Sequence, residues 1–438
     1  MEMAKRFTLR TVTVRGLFGA RSAQVDCDPV LTILTGENGS GKSTILRAVD
    51  QVLRGAWREL QELPVAQVNL EFESGQQLMV ETSDDRLRIT SRDHGTWSPT
   101  KTAAMRDLDS TARRIEELDR RAGEIRRRGA STEELRRLHR ERTALSRHWA
   151  RRRSTMDDPY ESAPDWLQEL VEGTSSQLIS ARRLEQRVQA DDPGAPDEIS
   201  VPVVDQIADE VASIMRNELA ESKAQSSERY RVLPSDIVRA MQEPDKEIVE
   251  LANDVDALRD RVLGSAESLT GVGLLQDEQP NQQLVDYPRD NRQVLLAVRE
   301  AYRAAETEYA QLEELGHRLG LLANFLDKRL SGKKVNLNRE TGIAFQTEDG
   351  FSLRPGQLSS GEQQLVALAY DLLFATDKGS IVLIDEPEIS LHVAWLQGLT
   401  GALEEIGEER DLQLVIATHS PSVLAGYSDM ERSLDLQN

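Results

Sequence analysis

The sequence predicts an α/β fold interrupted by a long helical insertion, and three observations carry that expectation. Aliphatic and β-branched runs of strand length crowd both ends of the 438-residue chain. Apolar residues at three- and four-residue spacing dominate positions 101–330. Near residue 40 a glycine-rich loop separates a buried-type run from an amphipathic stretch. The chain therefore divides into 1–100, 101–330 and 331–438, with the first and last segments contributing strands to one globular head.

In the first segment, Phe7, Leu9, Val12 and Val14 nearly alternate, Val30 to Leu34 is a short buried-type run, and Val68, Leu70 and Phe72 alternate cleanly. A turn at Glu73-Ser74-Gly75 leads into a strand bearing Leu78 and Val80. The insertion begins with a stripe of Met105, Leu108, Ala112, Ile115, Leu118, Ala122 and Ile125. Arg128-Gly129-Ala130 breaks it, and Ser131 with Glu134 has capping-box spacing. The next helix carries Leu135, Leu138, Leu145 and Trp149. Such a pair reads as a short antiparallel coiled-coil hairpin, about 33 Å long at about 1.5 Å per residue. Further helices are expected over 205–222, 235–263 and 291–329, with linkers at Asp191–Pro202 and Gly271–Pro288. In the last segment, Val335 and Leu337 with Ile343 and Phe345 form a hairpin pattern. A helix (Leu365, Leu368, Leu372, Leu373), a strand (Ile381 to Ile384), a helix (Leu391 to Ile406) and a strand (Leu412 to Ala417) complete it.

Composition removes several classes. With 39% apolar residues the chain can bury a large core. Met1 to Arg10 lacks the apolar stretch of a signal peptide, and Ile381–Ile384 is too short to span a bilayer. The single Cys27 excludes internal disulfides and a cysteine-rich zinc site. A cytoplasmic protein without a membrane segment is expected. The net charge is −21, but residues 101–153 hold 17 Lys/Arg against 9 Asp/Glu. That basic segment offers DNA or an acidic protein a contact; the plainer account is a solvated face whose arginines pair with glutamates on the same helix.

Four motifs carry chemistry. Gly36-Glu37-Asn38-Gly39-Ser40-Gly41-Lys42-Ser43, followed by Thr44, fits G-x-x-x-x-G-K-[ST] in the required strand–loop–helix setting. Its glycines let backbone amides wrap phosphates, Lys42 pairs the β- and γ-phosphates, and the Ser43 hydroxyl ligates Mg²⁺. The strand Ile381–Ile384 ends in Asp385 and Glu386. Asp385 is a metal-holding carboxylate, and Glu386 can orient or deprotonate an attacking water. Leu358-Ser359-Ser360-Gly361-Glu362 opens an apolar helix, so its residues are either a plain capping box or donors to a γ-phosphate. His419, just past the last strand, is a candidate γ-phosphate sensor.

Taken together and in this order, these motifs resemble the ABC-class heads of the AAA-family ATPases, nearest the SMC, RecF and OLD types. The resemblance implies a P-loop ATPase head using ATP and Mg²⁺. Leu358–Glu362 would be the signature, Ser359 to Glu362 would meet ATP held by a second copy, Glu388 to His392 would be the D-loop, and His419 the switch histidine. Because 316 residues separate Lys42 from Leu358, a compact transporter subunit is disfavoured. The phrasing of Leu358–Val366, Ile384–His392 and Ile416–Pro421 resembles OLD-like ATPases of anti-phage systems such as Septu and PARIS.

Three departures matter. Only 19 residues follow His419, so no Toprim nuclease half is expected. Gly129–Thr132 has no cysteine, hence no zinc hook. The Q-loop position falls in Ile179–Leu184, which has no glutamine, leaving Arg182 or Arg183 to face the nucleotide. The implied assembly is a homodimer sandwiching two ATP, with higher oligomers open, that controls a separate nuclease effector in anti-phage defence. The alternatives are a RecF- or SMC-like chromosome-maintenance ATPase binding DNA directly through 101–153, and a permease-coupled ATPase.

Overall fold

The computed structural model describes residues 7–83, 86–99, 162–180, 185–189, 198–242, 247–275, 287–389, 391–396 and 398–434, with isolated positions between 111 and 145. The chain opens with β1 (Leu9–Leu17), β2 (Arg21–Asp26), β3 (Leu31–Thr35), α1 (Lys42–Leu53) and a short α2 (Trp57–Glu62). Strands β4 (Gln67–Phe72), β5 (Gln77–Thr82), β6 (Leu87–Ser91) and β7 (Gly95–Trp97) follow. Next come α3 (Asp165–Gly173), β8 (Ser176–Ser180), β9 (Glu185–Gln189) and β10 (Glu198–Pro202), then long helices α4 (Val203–Ala240), α5 (Ile248–Gly271) and α6 (Arg292–Asp327). The remaining elements are β11 (Lys333–Asn338), β12 (Gly342–Thr347), β13 (Ser352–Leu353), α7 (Ser360–Tyr370) and β14 (Ile381–Asp385). The last are α8 (Val393–Leu396), α9 (Leu399–Glu409), β15 (Gln413–Ala417), α10 (Pro421–Leu424) and β16 (Glu431–Ser433).

These elements fall into two compact units. One comprises Met1–Leu178, Gly379–Leu383 and Met430–Asn438; the other comprises Ile179–Lys378 and Ile384–Asp429.

The first unit holds a six-stranded antiparallel sheet in the order β2-β1-β4-β5-β6-β7. Its register explains the sequence alternation: Val14 faces Val68, which faces Val80, and Val12 faces Leu70, which faces Leu78. All six are buried, each worth about 1.5–3 kcal/mol against exposure. Strand β3 is buried along its whole length and pairs in parallel with β16, Ile33 opposite Glu431 and Thr35 opposite Ser433. The Thr35 hydroxyl donates to Glu431 at 2.7 Å. Opposite ends of the sequence thus share one sheet, as expected. Helix α1 buries Ile45, Leu46, Val49, Val52 and Leu53 on one face.

In the second unit α4 and α5 pack along α6. Asn291 caps α6, accepting from the amides of Gln293 and Val294. The β11–β12 hairpin lies directly on α4: a side chain at Gly342 (φ 66°) would collide with the carbonyl of Ala208. Helix α7 runs into a π-helical turn at Asp371–Ala375.

Several elements depart from the sequence expectation. Helix α4 continues through Pro234 to Ala240, where the pattern suggested a break after residue 222. No glycine interrupts Lys223–Leu233, and one missing amide costs less there than ending an otherwise helix-favouring run. The expected helix over Leu391–Ile406 is divided, because Gly398 takes φ 75° and starts α9 afresh. Strands β8 to β10 occupy a stretch expected to be helix and linker; Val188 and Ile199 are paired across β9 and β10. The hairpin tip with Arg126, Arg127 and Arg128, the linkers 191–197 and 276–286, and the candidate Q-loop residues Arg182 and Arg183 lie outside the described residues. Within 101–153, Arg114 pairs with Glu117 at 2.8 Å and with Glu141 at 3.6 Å. At that position the arginine does what a solvated helical face requires.

Candidate functional site

The loop between β3 and α1 is shaped by three glycines in conformations that side chains disfavour: Gly36 at φ 151°, Gly39 at 79° and Gly41 at 96°. At Gly41 a side chain would also meet Leu17 Cδ2 at 2.6 Å and Phe18 Cε2 at 3.2 Å. Glycine there is required by both torsion and space. Helix α1 starts at Lys42 with no side-chain cap, so its N-terminal amides and positive dipole end serve the loop. The loop crest, Glu37 to Gly39, is exposed, whereas Ser40 is buried with its hydroxyl unpartnered. Lys42 is 5% exposed, and its Nζ donates to the carbonyls of Gly36 at 2.8 Å and Glu37 at 3.1 Å. Those contacts hold an ammonium against the loop it would share with phosphates. Ser43 and Thr44 follow in the first turn, both half-buried.

In the second unit, Ser359 caps α7 by a reciprocal box. Its hydroxyl accepts from the Glu362 amide, and the Glu362 carboxylate accepts from the Ser359 amide and hydroxyl, each at 2.9 Å. The other Glu362 oxygen takes an ion pair from Lys333 of β11 at 2.5 Å. Burial alone would push this carboxyl up, but the hydrogen bonds from Lys333 and Ser359 outweigh it and hold it below the usual carboxylate range. Glu362 is thus buried and committed to the cap, while Ser359 and Ser360 are exposed beside buried Gly361. Of the two readings the sequence offered, the structure shows the capping box.

Strand β14 delivers Asp385 half-buried at its end. Glu386 follows at φ 51°, a left-handed conformation costing a non-glycine residue about 1–3 kcal/mol. Its amide donates to the Ala417 carbonyl at the end of β15 at 2.8 Å, which brings Glu386 beside Thr418 and His419. The His419 Nδ1 stands 3.5 Å from Glu386 Oε1 and 3.4 Å from Glu388 Oε1. Glu388 was legible in the sequence only as the start of a D-loop. Here its Oε1 also accepts from the Thr418 hydroxyl at 2.6 Å and the His419 amide at 3.1 Å. The available signal was the repeated acid of Asp385-Glu386-Pro387-Glu388.

An uncapped helix start behind three such glycines is the phosphate-loop arrangement of a P-loop head, and the acidic strand end and serine-capped helix in the same chain are features of the ABC type. The chain belongs to the family described as "AAA domain, putative AbiEii toxin, Type IV TA system", whose model matches residues 31–425. It is 39% identical over 70 residues to the lipoprotein-releasing system ATP-binding protein LolD of Myxococcus xanthus, covering 16% of this chain and 30% of that protein. It is 33% identical over 87 residues to the Retron Ec83 probable ATPase of Escherichia coli, covering 17% and 16% respectively. The chain thus spans under a third of either relative's length. The Smc head domain of Pyrococcus furiosus, solved bound to the C-terminal domain of ScpA, aligns over 95% of this chain and 91% of its own at 14% identity and TM-score 0.36. That of Thermotoga maritima aligns over 96% and 93% at 12% identity and TM-score 0.33. Among the described residues no helix is long and apolar enough to cross a membrane.

Proposed function

We propose that this chain binds ATP with Mg²⁺ and hydrolyses it, working as a nucleotide-switched head that pairs with a second copy and controls a separate effector, a nuclease, in anti-phage defence. The observation that carries the ATPase reading is the β3–α1 loop, whose glycine torsions, uncapped helix and buried Lys42 suit a polyphosphate and little else. Lys42 offsets charge on the β- and γ-phosphates. The Ser43 hydroxyl and the Asp385 carboxylate are the groups that would hold Mg²⁺, a cation that takes one or two carboxylates plus phosphate oxygens and would offset phosphate charge. Glu386 accepts the proton of the attacking water, and His419 beside it faces the γ-phosphate. Gly36 to Thr44 form the cradle, and Ser359, Ser360 and Gly361 of a second copy complete it. The defence setting draws on the family description, which names a toxin–antitoxin system, and on the likeness to the Retron Ec83 probable ATPase; the separate effector rests on the motif resemblance.

The test is Lys42→Ala. Turnover should fall to background and nucleotide affinity should weaken while the circular dichroism spectrum stays unchanged. Wild-type turnover in that folded variant would remove the reading. The basic segment 101–153 favours a second reading, in which the head binds DNA directly. ATP-dependent DNA binding by the purified chain without any effector would favour it over the first.

A further inference from the structure

We propose that Glu388 is a positioning residue for hydrolysis: it sets the direction of the His419 imidazole and fixes the turn that carries it. The inference rests on the proposed ATPase reading, in which His419 and Glu386 serve the γ-phosphate. Glu388 is 9% exposed, and a single oxygen, Oε1, gathers three groups of the β15–α10 connection. It accepts from the Thr418 hydroxyl at 2.6 Å and from the His419 amide at 3.1 Å, and lies 3.4 Å from His419 Nδ1. Thr418 extends the grip, since its hydroxyl also accepts from the Ser420 amide at 3.0 Å. Three successive residues are therefore tied to one carboxylate.

The second oxygen, Oε2, is buried without a hydrogen-bond partner. The oxygen that faces His419 Nδ1 is Oε1, the same one that holds the Thr418 hydroxyl and the His419 amide. An anionic acceptor at Nδ1 favours the proton there and leaves the opposite ring nitrogen to meet a phosphate oxygen or water. His419 Nδ1 also lies 3.5 Å from Glu386 Oε1. Two carboxylates thus flank one imidazole edge; the one on the left-handed Glu386 faces the chemistry, and the buried one anchors.

The experiment compares Glu388→Ala, Glu388→Gln and His419→Ala with the double variant Glu388→Ala/His419→Ala, measuring kcat, KM and ATP affinity. Glu388→Ala should lower kcat about tenfold, the value of one charge-assisted hydrogen bond, with KM and affinity within about twofold. Glu388→Gln keeps an acceptor for Thr418 and the His419 amide but not the charge, so its kcat should lie between. In the double variant the Glu388→Ala effect should vanish, because a positioning residue has nothing left to position. Multiplying effects in the double variant would overturn the proposal, as would wild-type kcat in Glu388→Gln and Glu388→Ala alike. If Glu388→Ala fails to fold, wild-type kcat in Glu388→Gln alone overturns it. Unchanged kcat in His419→Ala would instead remove the underlying reading of His419, a distinct failure.

Discussion

Lys333→Met isolates the buried ion pair at the N-terminus of α7. The side chain of Glu362 is 8% exposed and that of Lys333 is 22% exposed. Removing the ammonium leaves a buried carboxylate held by the Ser359 amide and hydroxyl. Breaking a buried pair from one side costs about 3–5 kcal/mol, and the partial access of water at Lys333 argues for the low end, about 3 kcal/mol. The sign with pH follows from the depressed carboxyl. Its contribution is fully present above the ordinary carboxylate range and is lost as pH falls through the lowered folded value. The deficit of Lys333→Met should therefore be largest at pH 7 and shrink as pH falls through that range, since protonation removes the charge that Lys333 balances. Urea unfolding at several pH values measures this. Lys333→Met/Glu362→Gln should recover at least about 1.5 kcal/mol relative to the summed single variants. A pH-independent deficit, or strict additivity, would refute the reasoning.

Two further predictions address the switch and the basic segment. Glu386→Gln should keep ATP while losing most turnover, so light scattering with ATP should show a longer-lived dimer; a monomer with bound ATP would contradict the sandwich. Replacing Arg126, Arg127 and Arg128 with Glu should weaken binding to duplex DNA and flatten its log–log salt dependence by about 0.9 per lost phosphate contact, with basal ATPase kept. Unchanged DNA binding with lost capture of a co-expressed nuclease would mark the segment as an effector dock instead.

The phosphate loop was readable because its chemistry is local: glycine torsions, lysine and helix start all lie within eight consecutive residues. The same holds for the Ser359–Glu362 box and for the buried strands β3 and β14. What escaped the sequence depends on partners far apart in it. Lys333 meets Glu362 across 29 positions and Glu388 meets Thr418 across 30, and nothing in either neighbourhood announces the other. Helix ends failed for a related reason. Pro234 signals a stop that the helix-favouring run around it overrides, whereas Gly398 stops a helix that composition alone would continue.

The parallel pairing of β3 with β16 also imposes an order in time. The strand that leads into the phosphate loop leaves the ribosome early, yet its partner at Glu431–Ser433 is made roughly 400 residues after β3, about 20–80 s later at ordinary elongation rates of about 5–20 residues per second. Through that interval the antiparallel sheet of the first unit can form from its own contiguous strands, while β3 keeps an unpaired edge. A nascent chain in that state exposes an aliphatic edge beside an unfinished phosphate loop. Its synthesis should therefore depend on chaperones that shield such edges, and slowing translation should lengthen its period of vulnerability.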